Sequence, residues 1–385
     1  MLKKIPIAVP KLNLWQIFTA LVYPCYDDRA AKKILNTKNL FFVNSGTTAL
    51  YLILKALKEI NGREEVIIPA YTSASLLFAI KKAGLKPILC DINTDELSLD
   101  GTLAKTLIGK NTLALIATHM FGLINKSALD LKNEFPCLTI IEDCAQSMGA
   151  TFNGELSGQF TGIAFFSFNR GKNISAFNGG AIAVNDDRLA KLIKKDISLL
   201  PKPALLYPLV VVAKLLILKF ITLSWIYGVM DIILKPMKEK MPPDDFKAMQ
   251  YTGFQSKLIS LMLANIHKLS EIRYKNSMAI AEKIKHMPCT GIPIIAPNMR
   301  PAPGRLPILC KNRDKLKNEL AKAGIEATGM YYMPLNQRFD LGYAKQAFPC
   351  AGMVAETLLA LPVHHRITQR EIEMIAKLVE SCCCQ

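Results

Sequence analysis

The sequence predicts an α/β protein built on a mostly parallel sheet flanked by helices, and three observations carry that expectation. Apolar runs of 4–8 residues closed by turn residues read as buried parallel strands, and Leu113 to Thr118, Leu138 to Ile141 and Ile163 to Phe168 have that form. Helical stretches alternate with them, such as the apolar one that begins at Asn44-Ser45-Gly46-Thr47. Polar residues gather just after the runs, where an open α/β sheet keeps its ligand crevice. A chain of 385 residues, 51% hydrophobic and 21% charged, has ample material for a core and is not disordered.

Taken in order, residues 1–40 are expected to form an arm and a first helix, punctuated by Pro6, Pro10 and Pro24. The stretch 41–57 reads as strand, turn and helix. A helix start offers amides without intrahelical partners, so this turn is either an anion site or an ordinary Ser/Thr cap. Strand, turn, helix and strand follow over 64–93. The run ending at Thr118 leads into His119, which is expected to be structural or to line a site at most. Within 138–184 the first run ends in Glu142 and Asp143, and Gln146 follows; the second run ends in a turn before Lys172. Strand-end geometry places Asp143, Gln146, Ser167 and Lys172 around one crevice.

Singly, a lysine after a strand is a solvated surface residue and an aspartate at a strand end is a helix cap. Together they match Schiff-base chemistry on pyridoxal phosphate (PLP). There an amine bonds the aldehyde carbon and later moves a proton, while a carboxylate keeps the ring nitrogen protonated.

The motifs EDCAQ, FSFNRGKNI and NGG resemble the core signature of the DegT-type (DegT/DnrJ/StrS) sugar aminotransferases, which are fold-type I PLP-dependent transferases. The resemblance runs over roughly 35–200 and 250–380. It implies pyridoxal 5′-phosphate as cofactor and Lys172 as the lysine bonded to it. Asp143 is then the partner of the ring nitrogen, Gln146 a ring contact, and Ser167, Gly46 and Thr47 phosphate ligands. Thr72 falls where relatives have threonine; the next position, usually a stacking aromatic, holds Ser73, with Tyr71 or another aromatic as the substitute. Lysine instead of the histidine found in dehydratase relatives favours transamination. YTGFQSKL resembles a segment that crosses to a neighbour's cofactor phosphate, which implies a homodimer with a shared active site and assigns Gln255 to that contact. IEATGMYYMPLN resembles a substrate-facing strand and marks Tyr332 and Asn336, beside His119, as substrate residues. The implied reaction moves an amino group from an amino acid to a keto group of a nucleotide-linked sugar. A lipid or lipid-linked keto substrate, or a membrane-tethered protein without turnover, are the alternatives.

The net charge of +17 favours anionic partners: a phosphate-bearing cofactor, an anionic small-molecule substrate or an anionic membrane. No nucleic-acid motif accompanies it, so no nucleic acid is expected. The ten cysteines show no zinc spacing and read as free thiols of a reducing cytosol. The N-terminus lacks the apolar core of a cleaved signal.

Residues 204–234 depart from the family pattern, being nearly all apolar between basic flanks. A single crossing would put Lys172 and the C-terminal domain on opposite sides of a bilayer. A hairpin of two arms of about fifteen residues reaches only ~22 Å each, short of the ~30 Å core. The run is therefore expected to lie in one leaflet on the cytoplasmic side, with Lys214 and Lys219 snorkelling, or else to pack as a buried helical hairpin. The expected division is a large PLP-binding domain with its arm at 1–200, the apolar insert at 201–247, and a connecting helix with a small C-terminal α/β domain at 248–385. The terminal SCCCQ formally fits prenylation at Cys382 but reads as a frayed tail.

Overall fold

The computed structural model describes residues 3–25, 28–230 and 246–383. Its principal sheet has seven strands, labelled in chain order: β1 (Asn39–Val43), β2 (Glu65–Pro69), β3 (Lys86–Cys90), β4 (Thr112–Thr118), β5 (Ile140–Asp143), β6 (Ile163–Ser167) and β7 (Gly180–Val184). They lie in the order β1-β7-β6-β5-β4-β2-β3. β7 runs antiparallel to both neighbours, and all other pairings are parallel. Parallel neighbours require crossovers, and these put helices on both faces. Alternation along β2 shows it: Val66 and Ile68 join one core cluster, with helices Gly46–Asn61 and Ala74–Lys82, while Ile67 joins another, with Gly101–Leu107 and Lys126–Glu134. The two apolar runs of 138–168 are strands as expected. β5 extends to Asp143 because Thr118 and Phe165 pair with that residue from either side.

A smaller unit follows the long helix Ile266–Ile284. Its three-stranded antiparallel sheet (Thr290–Gly291, Arg305–Cys310, Leu358–Pro362) shares a core with that helix, Arg313–Lys322 and Gln369–Cys383. The first of the two C-terminal helices stops at Gly324, whose φ of 78° is a left-handed conformation suited to glycine. The second starts with a reciprocal cap, in which the Thr368 amide donates to Glu371 at 2.9 Å and the Glu371 amide to Thr368 Oγ1 at 3.3 Å. The N-terminal arm, grouped by sequence with the large domain, bonds to the small one through Ile5, which pairs with Ile325. Cys382 lies buried in the last helix and is not part of a frayed tail. Cys289 is disulfide-bonded, which corrects the expectation of free thiols throughout.

The apolar insert forms a helix at Tyr207–Ile221 and a second at Ser224–Met230, bent by 99° from the first. Neither is long and apolar enough to cross a membrane. Most of the linker 241–246 lies outside the described residues.

Candidate active site

A cleft of about 520 Å³ opens at the carboxyl ends of β4, β5 and β6, lined by Gly46, Thr47, Thr72, His119, Asp143, Gln146, Ser167 and Lys172. Asp143 is the last residue of β5, and its Oδ1 accepts the Ala145 amide at 2.9 Å. Lys172 follows β6 through a turn closed by its own amide, which donates to the Asn169 carbonyl at 3.2 Å. Gly171, at φ 80°, makes that turn possible, and a Cβ there would meet the Arg305 guanidinium at 3.1 Å. Asn173 locks the segment behind the lysine by donating to the carbonyls of Met148 (2.9 Å) and Ala302 (2.8 Å).

The electrostatics set two groups apart. Burial holds the Lys172 amine down to about 8, against the opposing pull of Asp143 and with help from Arg305. Burial also raises the Asp143 carboxyl, opposed by the Ala145 amide, Lys172 and His119. A lysine that sheds its proton near neutrality is a competent nucleophile toward an aldehyde.

The other end of the cleft is a helix start. Ser45 caps the helix Gly46–Asn61, accepting the Thr48 amide at 3.0 Å. The glycines of the NGG motif let β7 approach this turn: a Cβ on Gly180 would stand 2.4 Å from the Ser45 carbonyl, and one on Gly179 would overlap the Tyr251 ring. Gly46 itself faces β6, where a Cβ would press on Ser167 Cβ at 3.1 Å and the Phe166 carbonyl at 3.3 Å.

The sequence profile of the DegT/DnrJ/EryC1/StrS aminotransferase family matches residues 28–199 and 247–380. The chain belongs to this family. It is a PLP-dependent aminotransferase, and the profile leaves out the apolar insert. Among its relatives, the dTDP-3-amino-3,4,6-trideoxy-alpha-D-glucose transaminase of Streptomyces venezuelae is 26% identical over 330 residues, 83% of this chain and 76% of that one. GDP-perosamine synthase of Vibrio cholerae is 34% identical over 157 residues, 40% of this chain and 42% of the relative. Among solved structures, the aminotransferase TlmJ from Streptoalloteichus hindustanus superposes with a TM-score of 0.79 at 18% identity, covering 99% of both chains. Spr1654 from Streptococcus pneumoniae, in its PLP form, superposes at 0.74 with 19% identity, covering 99% of this chain and 98% of that one.

The aminotransferase's cleft fits that cofactor on its own geometry. A depressed amine and a carboxylate line the same cleft as Ser167 and a helix start, whose amides lack intrahelical partners and suit an anion. His119 lines the cleft but is held as a structural residue. Its Nδ1 accepts the Asn125 amide (3.1 Å), so its Nε2–H points at the buried Glu142, 3.2 Å away. Glu142 is itself saturated by the amides of Gly158 and Thr161.

Three expected site residues stand elsewhere. Tyr332 is half-exposed and its hydroxyl accepts from Lys317 at 3.0 Å, whereas the adjacent Tyr331 lines the cleft. Asn336 is buried in a short helix, donating to the Ala344 carbonyl at 2.8 Å. Gln255 is fully buried in its own subunit, donating to Asn178 Oδ1 at 2.7 Å and accepting from Thr252, so it supports the cleft-lining Asn178 from behind. Sequence reasoning missed Tyr331, Asn178 and Arg338. Tyr331 hydrogen-bonds Gln146 at 3.4 Å and packs edge-on to Tyr71, with ring centroids 5.4 Å apart. It is the aromatic beside Ser73, while Tyr71 is sealed in the core. A Tyr-Tyr pair was visible in the sequence, but only the backbone path tells which ring turns inward.

Proposed function

We propose that this enzyme transfers an amino group from an amino acid donor to a keto group of a nucleotide-linked sugar, as a homodimer working against the cytoplasmic face of a membrane. The single observation that carries the chemistry is the shared cleft of Lys172, Asp143 and the Gly46 helix start. When bound, PLP supplies an aldehyde that condenses with amines and a protonated ring that withdraws electrons. Lys172 would hold the cofactor's aldehyde carbon, and its amine, lowered by burial, would be the group that moves the proton from the donor's α-carbon. Asp143, at the end of its strand on the cleft floor, would keep the proton on the ring nitrogen. Amides of Gly46 and Thr47, with the Ser167 hydroxyl, would hold the phosphate. Arg338, also lining the cleft, supplies a cation for the anionic substrate. The sugar-nucleotide substrate is supported by the named reactions of the relatives.

The test charges the enzyme with pyridoxamine phosphate and presents a panel of keto-sugar nucleotides and, separately, a lipid extract. Return of the PLP absorbance with a sugar nucleotide supports the proposal. Return with the lipid extract alone favours a lipid-linked keto substrate, the reading that the exposed apolar insert supports. No return with either, in a protein that binds PLP, indicates a tethered protein without turnover.

A further inference from the structure

The insert is fastened to the protein on one side and bare on the other. Val211 and Leu215 enter the same core cluster as Leu12 and as Ile17 and Ala20 of the N-terminal helix Leu14–Val22. The second insert helix and the turn before it are tied at three points: the Ser224 carbonyl accepts the Lys4 amide at 2.9 Å, the Thr222 carbonyl in the turn accepts from Arg366 at 3.1 Å, and Tyr227 donates to Glu326 at 2.6 Å. It is already docked, so its outer side is not a surface awaiting closure. Yet Leu209, Ile217 and Phe220 of the first insert helix are exposed, and so are Trp15 and Phe18 of the N-terminal helix. The chain has only two tryptophans. One lies on each of these segments, Trp15 at 71% and Trp225 at 75% exposure. A soluble surface hides such rings, whereas a membrane interface collects them.

We propose that the N-terminal helix and the two insert helices together form one docking face for an anionic lipid leaflet, lying flat in its interface. The charge pattern selects that occupant. Residues 1–26 and 197–230 contain no aspartate or glutamate, only Lys3, Lys4, Lys11, Lys202, Lys214 and Lys219. A second copy of the chain would bring the same unrelieved positive charge to a self-complementary contact. An anionic leaflet brings its opposite. Geometry selects the depth: a helix of 15 residues spans about 22 Å, and the 99° bend prevents the pair from continuing as one rod through a core of ~30 Å. Lys214 plays no headgroup role, because its ammonium sits over the Phe177 ring, 5.2 Å from the centroid. Lys202 and Lys219 are the headgroup candidates. The N-terminal helix is the unexpected member, supplying half of the face from the other end of the chain.

The inference deepens the membrane placement and is independent of the sugar substrate. Its test is flotation of the full-length PLP-loaded protein with vesicles of phosphatidylcholine alone or mixed with phosphatidylglycerol. Binding to the mixed vesicles is expected, with a blue shift of tryptophan emission and weakening at high salt. Trp15→Glu and Trp225→Glu are each expected to reduce partitioning roughly tenfold or more, while the absorbance of bound PLP shows that both variants remain folded. Three outcomes overturn the proposal: no vesicle binding by the parent protein, partitioning unaffected by Trp15→Glu, or variants whose only change is loss of dimer in sedimentation. None of them touches the amination assay.

Discussion

The cleft around Lys172 and the apolar insert are opposite solutions to burying what water would otherwise hold. In the cleft, charge is taken out of water in pairs: Lys172 faces Asp143, and Glu142 is saturated by His119, Gly158 and Thr161. On the insert, apolar surface is left in view, and residues 197–230 carry no acid of their own. The first arrangement shifts protonation and so makes chemistry; the second leaves apolar side chains facing outward. The family profile covers the cleft and skips the insert. They meet at Glu326. That carboxylate accepts from Tyr227 of the insert and the Ile7 amide (2.8 Å), and it sits close enough to Arg305 to steady the guanidinium that presses on Lys172.

The sharpest break between the regions is Lys172→Ala. Turnover is expected to fall by roughly 10²–10⁴-fold or more, the contribution of a positioned proton-moving group, and the visible absorbance of lysine-bound PLP to vanish, with vesicle flotation unchanged. Flotation lost together with the absorbance would mean that the two regions are one folding unit and not separate devices. A smaller effect is expected from Arg338→Gln, which leaves the lysine intact but removes a cleft cation. KM for the anionic substrate should rise roughly tenfold to a hundredfold, as when a hydrogen bond to a charged group is lost, with kcat little changed. A fall in kcat at constant KM would remove Arg338 from substrate binding.

Legibility followed the same divide. Asp143, Gln146, Ser167 and Lys172 were readable because strand ends in a parallel sheet converge, so chemistry spread over thirty residues of sequence had only one place to meet. Tyr332, Asn336 and Gln255 were misplaced because they sit where the chain has no repeating period: a loop, a four-residue helix and a helix buried all along its start. There the direction of a side chain is set by tertiary contacts such as Asn336 to Ala344 and Gln255 to Asn178. The insert's composition announced an unusual surface, yet its partnership with the N-terminal helix depends on a shared cluster between segments nearly two hundred residues apart, which no local pattern encodes.

Smaller again is Tyr227→Phe, which cuts the tie between insert and small domain. Losing a hydrogen bond to a carboxylate costs about 1.5–3 kcal/mol, visible as a lower denaturation midpoint, with turnover retained because Tyr227 lies outside the cleft. A drop in turnover larger than the drop in stability would show that the insert reports directly to the active site.

The finest test is one of pH, on the PLP-free enzyme. Burial, opposed by Asp143 and aided by Arg305, lowers Lys172 from 10.5 to about 8 in the folded chain. Only the neutral amine attacks an aldehyde, so the rate of PLP capture is expected to rise with pH through a midpoint near 8. The unfolded chain binds more protons at this site between about 8 and 10.5, so Lys172's contribution makes the fold relatively more stable as pH climbs through that window, the same sign as a paired carboxylate but at alkaline instead of acid pH. Arg305→Met removes a neighbouring positive charge and should move the capture midpoint upward, while Asp143→Asn removes the counter-charge and should move it downward. Opposite displacements from two residues on different domains would show that the amine is tuned by both. If neither variant moves the midpoint, burial alone sets it, and the link from the insert through Glu326 to the lysine carries no electrostatic information.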